Sequence, residues 1–248
     1  MLKPRPPTTD QYTRLRHQND LCPTRLTLLS WNVAKLSGKP VFRSVIGGLL
    51  EQTPINLVLL QEARTFQKEE FDLHGYSWSM SPNIQTRKEL FGVMSAFNVR
   101  CDQSTPFISQ RQELMLATHK SALVTHHPVK GGGDLLVVNV HAINFVFNQY
   151  FYEEMASISQ LIAHHKGPLI IAGDFNTWNL KRINHLRALM TRLGLREVEF
   201  TDKQHIKCFL SHPLDYVFYR GLRVEQASAI DVAISDHNPV LATLSIDI

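Results

Sequence analysis

The stretch PLIIAGDFN (residues 168–176) joins an uninterrupted apolar run to a group of polar residues. Leu169, Ile170 and Ile171 show no alternation with polar residues, which indicates a strand buried on both faces. Asp174 and Asn176 follow this run directly. Polar residues at the end of a buried strand predict functional groups at the edge of a sheet.

Further segments of the chain predict an α/β protein whose sheets are covered by helices. Apolar residues three and four apart predict helices that end near Gly167 and Gly194, and a weaker pattern over 41–52 predicts a third. KGGGD (130–134) joins two strand-like runs, which favours a hairpin turn over a phosphate loop. The other predicted strands are LTLLSW (26–31), NLVLLQ (56–61), SALVTH (121–126), DLLVVNVH (134–141), LDYVFYR (214–220) and VLATLSI (240–246).

Length and composition indicate a globular protein with a large core, since the chain has 248 residues of which 44% are hydrophobic. Its three cysteines are far apart, which favours neither a disulfide framework nor a zinc site. No apolar stretch is long enough for a membrane span, and the N-terminus lacks the apolar segment of a signal peptide. We therefore expect a cytoplasmic protein with no obligate protein partner.

No repeat or linker interrupts residues 26–248, so we predict that they form a single domain. Residues 1–25 form a Pro- and Arg-containing leader with five Lys or Arg and two Asp, a net charge of +3 out of the total of +4. The remaining chain is therefore close to neutral, at +1. We expect the leader to be solvated rather than to bind phosphates.

Polar side chains with catalytic potential recur at the ends of these strands. Each alone has an ordinary explanation as a turn or capping residue, but together they predict a ligand site at one edge of the sheets. Carboxylate and amide oxygens suit Mg²⁺ or Mn²⁺, and histidine beside a carboxylate suits proton transfer. Metal-assisted attack of water on a phosphate ester needs both, and no serine elbow, Cys–His signature or HExxH helix competes. The residues are Asn32, Glu62, His141, Asp174, Asn176, Asp215, Asp236 and His237.

The adjacent pairs His126–His127 and His164–His165 are less suited to binding a metal. Neighbouring side chains diverge on a strand or a helix, so neither pair converges on one ion. We predict that both pairs lie at the surface.

The ordered motifs LLSWNV, LVLLQEA, VVNVHA, IIAGDFNT, LDYVFY and ISDHNPV resemble those of the endonuclease/exonuclease/phosphatase superfamily over nearly all of residues 26–246. The compact length and the KSALVT segment resemble the bacterial YafD-like branch. This resemblance implies that 26–248 are a catalytic domain with a four-layer α/β sandwich, in which two packed, mainly antiparallel or mixed β-sheets are flanked by helices.

The resemblance also implies roles for the residues that match the family motifs. Glu62 is the expected main Mg²⁺ ligand with Asn32 beside it, and Asp236 is a metal or substrate-site aspartate. Asp215 would orient His237, the expected general base. Asp174 and Asn176 would position the attacking water, the phosphate oxygens or the leaving group.

His141 and Asn144 lie where abasic-site endonucleases of the superfamily carry a Y-x-x-N pattern. A histidine there resembles pancreatic-type deoxyribonucleases and sphingomyelinases, in which it contacts the scissile phosphate and is paired with a glutamate. Glu113 is the expected partner of His141, with Glu89 as the alternative, and Asn144 would bind substrate. A carboxylate beside each histidine, His141 and His237, would raise both imidazole pKa values.

Three hypotheses for the function follow. The first is a Mg²⁺-dependent phosphodiesterase, with Mn²⁺ as a possible substitute, that acts on nucleic acid. The second is a phosphatase or phosphodiesterase for a small or lipid phosphoester such as a phosphoinositide or sphingomyelin, favoured by the nearly neutral charge of the body. The third is a non-catalytic binding protein on the same fold, which the intact set of site residues disfavours.

Overall fold

The computed structural model describes residues 12–66, 71–112 and 119–247. Within these ranges lie three α-helices, Pro40–Gln52 (α1), Asn148–Ile162 (α2) and Leu180–Arg192 (α3), and a 3₁₀ turn at Lys203–His205. All three predicted helices are confirmed. The side chain of Asn179 caps α3 by accepting a hydrogen bond from the backbone N–H of Arg182. None of these helices is both long and apolar enough to cross a membrane.

The described strands form two large sheets and one small hairpin. In chain order they are Thr13–Arg14 (β1), Leu26–Asn32 (β2), Leu57–Phe66 (β3), Ser77–Gln85 (β4), Glu89–Phe97 (β5), Gln103–Ile108 (β6), Ser121–Pro128 (β7), Asp134–His141 (β8), Leu169–Asp174 (β9), Arg196–Glu197 (β10), Cys208–Phe209 (β11), His212–Pro213 (β12), Asp215–Arg220 (β13), Leu222–Ala229 (β14) and Val240–Ile246 (β15). Every predicted strand is present. The strands that were not predicted are β1, β4, β5, β6, β10, β11, β12 and β14. Polar residues or prolines interrupt the apolar patterns of β4, β6 and β14, and β1, β10, β11 and β12 are only two residues long.

Both large sheets are mixed. One has the order β1-β4-β5-β3-β2-β15-β14 and the other β10-β13-β9-β8-β7-β6, while β11 and β12 pair separately. The pairs β2–β3 and β8–β9 are parallel. β7 and β8 are antiparallel and joined through 130–134, which confirms the predicted hairpin turn.

Three apolar clusters divide the molecule into four layers. One cluster fills the space between the sheets and includes Leu59 and Val137. A second covers the outer face of the six-stranded sheet and includes Phe151 of α2 and Leu186 of α3. The third lies under α1 and includes Ile46. The predicted α/β sandwich is therefore confirmed.

Strand pairing brings the functional residues to one end of the sandwich. His141 at the end of β8 is the register partner of Asp174 at the end of β9. β13 runs antiparallel to β9, which makes Asp215 the partner of Asp174 on the other side. In the second sheet, Asn32 ends β2 and Glu62 lies at a bulge of the adjacent β3.

Residues 12–25 pack on the body of the protein. β1 extends the seven-stranded sheet by pairing with β4, and Leu21 is fully buried between the sheets. The backbone N–H of Leu21 donates to the carbonyl oxygen of Pro128 at 2.8 Å. The expectation of a solvated leader is therefore wrong for this part, because Leu21 belongs to the core. Residues 1–11 lie outside the described residues, and the boundary at residue 26 stays a prediction.

One histidine predicted at the surface is buried. The His127 side chain is fully enclosed, its ring packs edge-on against Phe97 with centroids 5.0 Å apart, and burial lowers its pKa to about 4. The neighbouring His126 points to the opposite face of β7, where Nδ1 lies 2.7 Å from Asp134 Oδ2. The two rings diverge as predicted, but the period of the strand places one of them inside. His164 is exposed and His165 half-buried.

Gly173, in the quoted stretch, allows a close approach of β9 to β8. Its φ is +142°, and a Cβ there would lie 1.9 Å from the carbonyl oxygen of Val140. We expect Gly173→Ala to lower the free energy of unfolding by at least about 3 kcal/mol, because the clash is with backbone and the φ is unfavourable for alanine. Gly48→Ala, in α1 with open space around it, is the control and should be neutral or stabilising. Denaturant unfolding of both variants is the measurement, and similar stabilities would contradict this account.

Candidate active site

The carboxylate of Asp174 is the point at which the predicted site residues meet. It is 2% exposed, and its Oδ2 accepts a hydrogen bond from Asn32 Nδ2 at 2.9 Å. The same oxygen lies 3.7 Å from His141 Nε2 and 3.8 Å from His237 Nε2. Burial and the nearby Asp215 carboxylate raise the pKa of Asp174 to about 6. The strand ends of both sheets therefore converge on one oxygen atom.

Asp215 and His237 form a buried pair beside this carboxylate. His237 Nδ1 lies 2.8 Å from Asp215 Oδ2, and both residues are 6% exposed. Trp31 Nε1 donates to the carbonyl oxygen of His237 at 2.9 Å, which fixes the backbone of the loop. Because Asp215 binds Nδ1, the Nε2 atom faces Asp174 and the centre of the site.

The pKa of His237 is governed by its acidic neighbours. Burial alone would lower the pKa, but the charge and hydrogen bond of Asp215, with the charges of Asp174 and Asp236, raise it to about 9. The predicted direction is therefore confirmed for this histidine. In the absence of another cation, the ring is protonated at neutral pH.

His141 behaves in the opposite way, because its neighbour is a cation. Lys120 Nζ lies 3.0 Å from His141 Nε2, whereas Glu62 Oε1 is 4.0 Å away. Burial, followed by the charge of Lys120, holds the pKa of His141 well below its ordinary value. The expectation that the pKa of His141 is raised is thus wrong, and the ring is neutral at neutral pH.

Lys120 was not identified from the sequence as a site residue. It directly precedes β7, and its backbone N–H donates to Ser109 Oγ at 2.9 Å, which anchors the start of the strand. Its side chain is 12% exposed and also lies 4.0 Å from Glu62 Oε1. A lysine at the start of the buried run SALVTH, next in the sheet to the strand of His141, was the available signal.

Glu62 projects from a bulge of β3 in a left-handed conformation with φ 50°. Its side chain is 27% exposed, with Oε2 3.7 Å from Lys35 Nζ. The bulge turns Glu62 out of the regular alternation of the strand and toward the end of the sandwich. Glu62 and Asp174 thus border His141 Nε2 from the two sheets.

Asn176 holds the loop after β9 in place. Its backbone N–H donates to Asp174 Oδ1 at 3.0 Å, and its Nδ2 donates to the carbonyl oxygen of Ala142 at 2.9 Å. With φ 50° it adopts a left-handed conformation that asparagine tolerates better than most residues. Asn176 therefore ties the end of β9 to the end of β8.

The other predicted residues lie away from this centre. Asp236 is 64% exposed and pairs with Lys207, whose Nζ is 3.5 Å from its Oδ2. Asn144 is half-buried, and its Oδ1 accepts from the N–H of Phe145 at 2.8 Å. Glu89 forms an ion pair with Arg64. Glu113 lies outside the described residues, so its pairing with His141 stays a prediction.

Arg182 is a second residue that the sequence did not reveal. It is fully buried near the start of α3, and its guanidinium lies 4.8 Å from the ring centroids of both Phe151 and Trp178. Nη1 donates to the carbonyl oxygens of Ile143 at 2.9 Å and Asn176 at 3.0 Å. One side chain therefore joins the loops that follow His141 and Asp174.

The donor set fits a hard divalent cation, since buried carboxylate oxygens lie together with an imidazole and an amide at the centre. Asp174, Asp215 and His237 each offer an atom within 4.8 Å of the others. These three residues differ from the predicted ligands Glu62 and Asn32. Because Asp215 Oδ2 already contacts His237 Nδ1, Asp174 is the buried carboxylate that faces the centre. The side-chain amide of Asn32, a predicted ligand, donates a hydrogen bond to this Asp174 carboxylate.

Comparisons with known proteins agree with the fold. A model of the Endonuclease/Exonuclease/phosphatase family matches residues 29–237. A UPF0294 protein of Erwinia tasmaniensis is 38% identical over 226 residues, which make up 90% of this chain and 82% of that protein. The catalytic domain of human nocturnin with bound sulfate is 20% identical with a TM-score of 0.65, over 92% of this chain and 96% of that chain. A mannosyl-6-phosphatase of Bacteroides thetaiotaomicron is 16% identical with a TM-score of 0.64, over 89% and 100%.

The pairing of His237 with Asp215 generates a test. Asp215→Asn should lower the pKa of His237 from about 9 toward its ordinary value, because the largest stabilising charge is lost. The raised pKa contributes stability that is present below pH 6.5 and is lost as pH rises through 9. In the variant, the free energy of unfolding should therefore change less with pH between 6.5 and 9. NMR titration of the imidazole in chelator is the measurement. The control Asp236→Asn should have a smaller effect, and equal effects would contradict the assignment.

Proposed function

The chain belongs to the endonuclease/exonuclease/phosphatase family and is therefore a phosphoesterase, and we propose that it catalyses the Mg²⁺-dependent hydrolysis of phosphodiester bonds in nucleic acid. The observation that supports this proposal is the convergence of Asn32, His141 and His237 on Asp174 Oδ2. A buried carboxylate between two imidazoles suits the activation of water beside a phosphate. Cleavage of a phosphodiester panel by purified protein with Mg²⁺ tests it.

In this proposal His237 is the general base. Its Nε2 accepts a proton from the attacking water, while Asp215 holds Nδ1 and stabilises the imidazolium that forms. Glu62 and Asn32 would hold Mg²⁺, or Mn²⁺ in its place, which when bound supplies positive charge to the phosphate oxygens and to the water. That positive charge would also lower the pKa of His237 and free it to accept a proton.

Asp174 and Asn176 are proposed to position the water or the phosphate, since their loop is fixed by hydrogen bonds. The neutral His141 accepts a hydrogen bond from Lys120 through Nε2 and so orients the ammonium group, which is proposed to supply at the scissile phosphate the charge first expected of His141. Asn144 is proposed to bind substrate, and Asp236 is proposed to act at the metal or the substrate.

One observation favours a second substrate class. Outside the first 25 residues the net charge is only +1, and non-specific binding to duplex nucleic acid depends on lysine and arginine contacts with phosphates. A phosphatase or phosphodiesterase for a small or lipid phosphoester would not need such contacts. Parallel assays on oligonucleotides, phosphoinositides and sphingomyelin separate the two candidates.

The metal assignment predicts a specific loss. Glu62→Gln should raise the Mg²⁺ concentration required for half-maximal activity at least about tenfold, because an amide is a weaker ligand for a hard cation than a carboxylate. Glu51→Gln, an exposed carboxylate in the last turn of α1, is the matched control. Metal titrations of phosphodiester hydrolysis are the measurement. Turnover that persists in excess chelator would disprove the metal requirement itself.

The assignment of charge to Lys120 predicts a second loss. Lys120→Met should lower kcat at least about tenfold, roughly 1.4 kcal/mol, because transition-state charge is no longer stabilised at this position. The pKa of His141 should rise at the same time, since a nearby positive charge is removed. Lys130→Met, in the exposed hairpin turn, is the control. An unchanged kcat with a lowered thermal midpoint would show that Lys120 only supports the fold.

A further inference from the structure

An apolar surface borders the candidate active site on the loop that follows His141 and on the first turns of α2 and α3. Phe145 is 54% exposed, Phe147 is 72% exposed and Leu180 is 62% exposed. The half-buried Tyr150 extends this surface, with its ring centroid 6.3 Å from that of Phe147. We call these four residues the aromatic patch. Exposed large apolar side chains at the edge of a site indicate a binding surface more often than chance.

Hydrogen bonds join the two segments that carry the aromatic patch. Asn179 Nδ2 donates to Asn148 Oδ1 at 3.1 Å, and these asparagines directly adjoin Leu180 and Phe147. This bond holds together the chain positions next to Leu180 and Phe147, the two most exposed residues of the patch. The two segments therefore carry the patch on the same part of the surface.

The loop after His141 is held in a fixed conformation from inside the protein. Arg182 Nη2 donates to the carbonyl oxygen of Val146 at 2.9 Å, and Glu154 Oε2 accepts from the N–H of Ile143 at 2.7 Å. Phe145 adopts a left-handed conformation with φ 46°, which is unfavourable for an aromatic residue. Such strain persists where the surrounding structure imposes it, so the rings stay at the surface instead of folding inward.

The residues around the aromatic patch indicate what it binds. The Arg111 guanidinium lies 4.9 Å above the ring of Tyr150, with its side chain 59% exposed, and Lys181 is exposed beside Leu180. Aromatic rings and arginine next to a phosphate-cleaving centre match the chemistry of base stacking with backbone contacts. Stacking requires little net charge, in agreement with the nearly neutral body.

We propose that the aromatic patch stacks the unpaired bases of single-stranded nucleic acid next to the scissile phosphate. This inference rests on the proposed function and narrows its substrate to unpaired strands or ends. Bases inside a duplex are stacked on each other and cannot reach exposed rings, whereas unpaired bases can turn outward onto them.

An exposed apolar residue outside the aromatic patch allows base stacking to be distinguished from contact with a lipid surface. Leu210 is 76% exposed at the tip of the β11–β12 hairpin, which leads into Asp215 at the same end of the sandwich. A membrane surface would contact every protruding apolar tip at this end. Base stacking requires flat rings and would involve Phe147 but not Leu210.

The experiment measures binding of a short labelled thymidine oligomer and of an abasic deoxyribose-phosphate oligomer of equal length, in chelator so that neither is cleaved. The full chain should bind the base-containing oligomer more tightly. Phe147→Ala should weaken that binding about fivefold or more, in line with the loss of one stacked base, and should leave abasic binding unchanged. Phe147→Trp should preserve the affinity for the base-containing oligomer, and Leu210→Ala should leave the affinities for both oligomers unchanged.

Other outcomes would overturn the inference. Equal weakening of both oligomers by Phe147→Ala would show that the ring does not contact bases, and the absence of any preference for the base-containing oligomer would exclude stacking. Binding to anionic phospholipid vesicles that Phe147→Ala and Leu210→Ala weaken alike, without base preference, would assign the surface to lipid. Hydrolysis of bis(p-nitrophenyl) phosphate with Mg²⁺ tests the proposed chemistry separately, because it does not depend on recognition of a nucleobase.

Discussion

The buried carboxylate of Asp174 imposes the central constraint on this molecule. It is enclosed between two sheets and accepts hydrogen bonds from Asn32 of one sheet and from the backbone of Asn176 after its own strand. A carboxylate removed from water is costly unless it is hydrogen-bonded and near positive charge. The register of β8 places His141 Nε2 3.7 Å from Asp174 Oδ2, and the loop before β15 brings Nε2 of the protonated His237, which supplies positive charge, to 3.8 Å. The site therefore assembles only when the two sheets are correctly aligned.

The two histidines of the site show how neighbours decide the role of a side chain. Both are 6% exposed, so burial by itself disfavours the charged form of each. His237 is surrounded by carboxylates, which overcome burial and raise its pKa to about 9. His141 has Lys120 3.0 Å away, which adds to burial and lowers its pKa. Two equally buried imidazoles therefore differ in charge, with His237 protonated beside carboxylates and His141 neutral beside the lysine ammonium.

Sequence predicted the elements that have a local signal. Long apolar strands, amphipathic helices and polar residues at strand ends are visible in short windows, and they placed Asp174, Asp215 and His237 correctly at one end of the sheets. Arg182 has no such signal, because its partners lie far away in the chain, and the position of Lys120 before a predicted strand becomes informative only when that strand is paired with the strand of His141. His127 was expected outside because the adjacent pair was assumed to be exposed as a whole, whereas the alternation of a strand buries one member. The ligand roles of Glu62, Asn32 and Asp236 depend on an ion, so neither pattern nor register decides them.

The proposed catalytic groups and the aromatic patch are held in place by different parts of the structure. The proposed catalytic groups lie at or near strand ends, where backbone pairing fixes them, while the aromatic patch lies on the loop after β8 and on the first turns of α2 and α3. Arg182 connects the two parts, since its guanidinium donates to the carbonyl oxygens of both Ile143 and Asn176. It orients the loop with the exposed phenylalanines relative to the end of β9. A shift of either loop would leave buried hydrogen-bonding groups unpaired, so the distance between the aromatic patch and the proposed catalytic groups is set by the same hydrogen bonds that stabilise the fold.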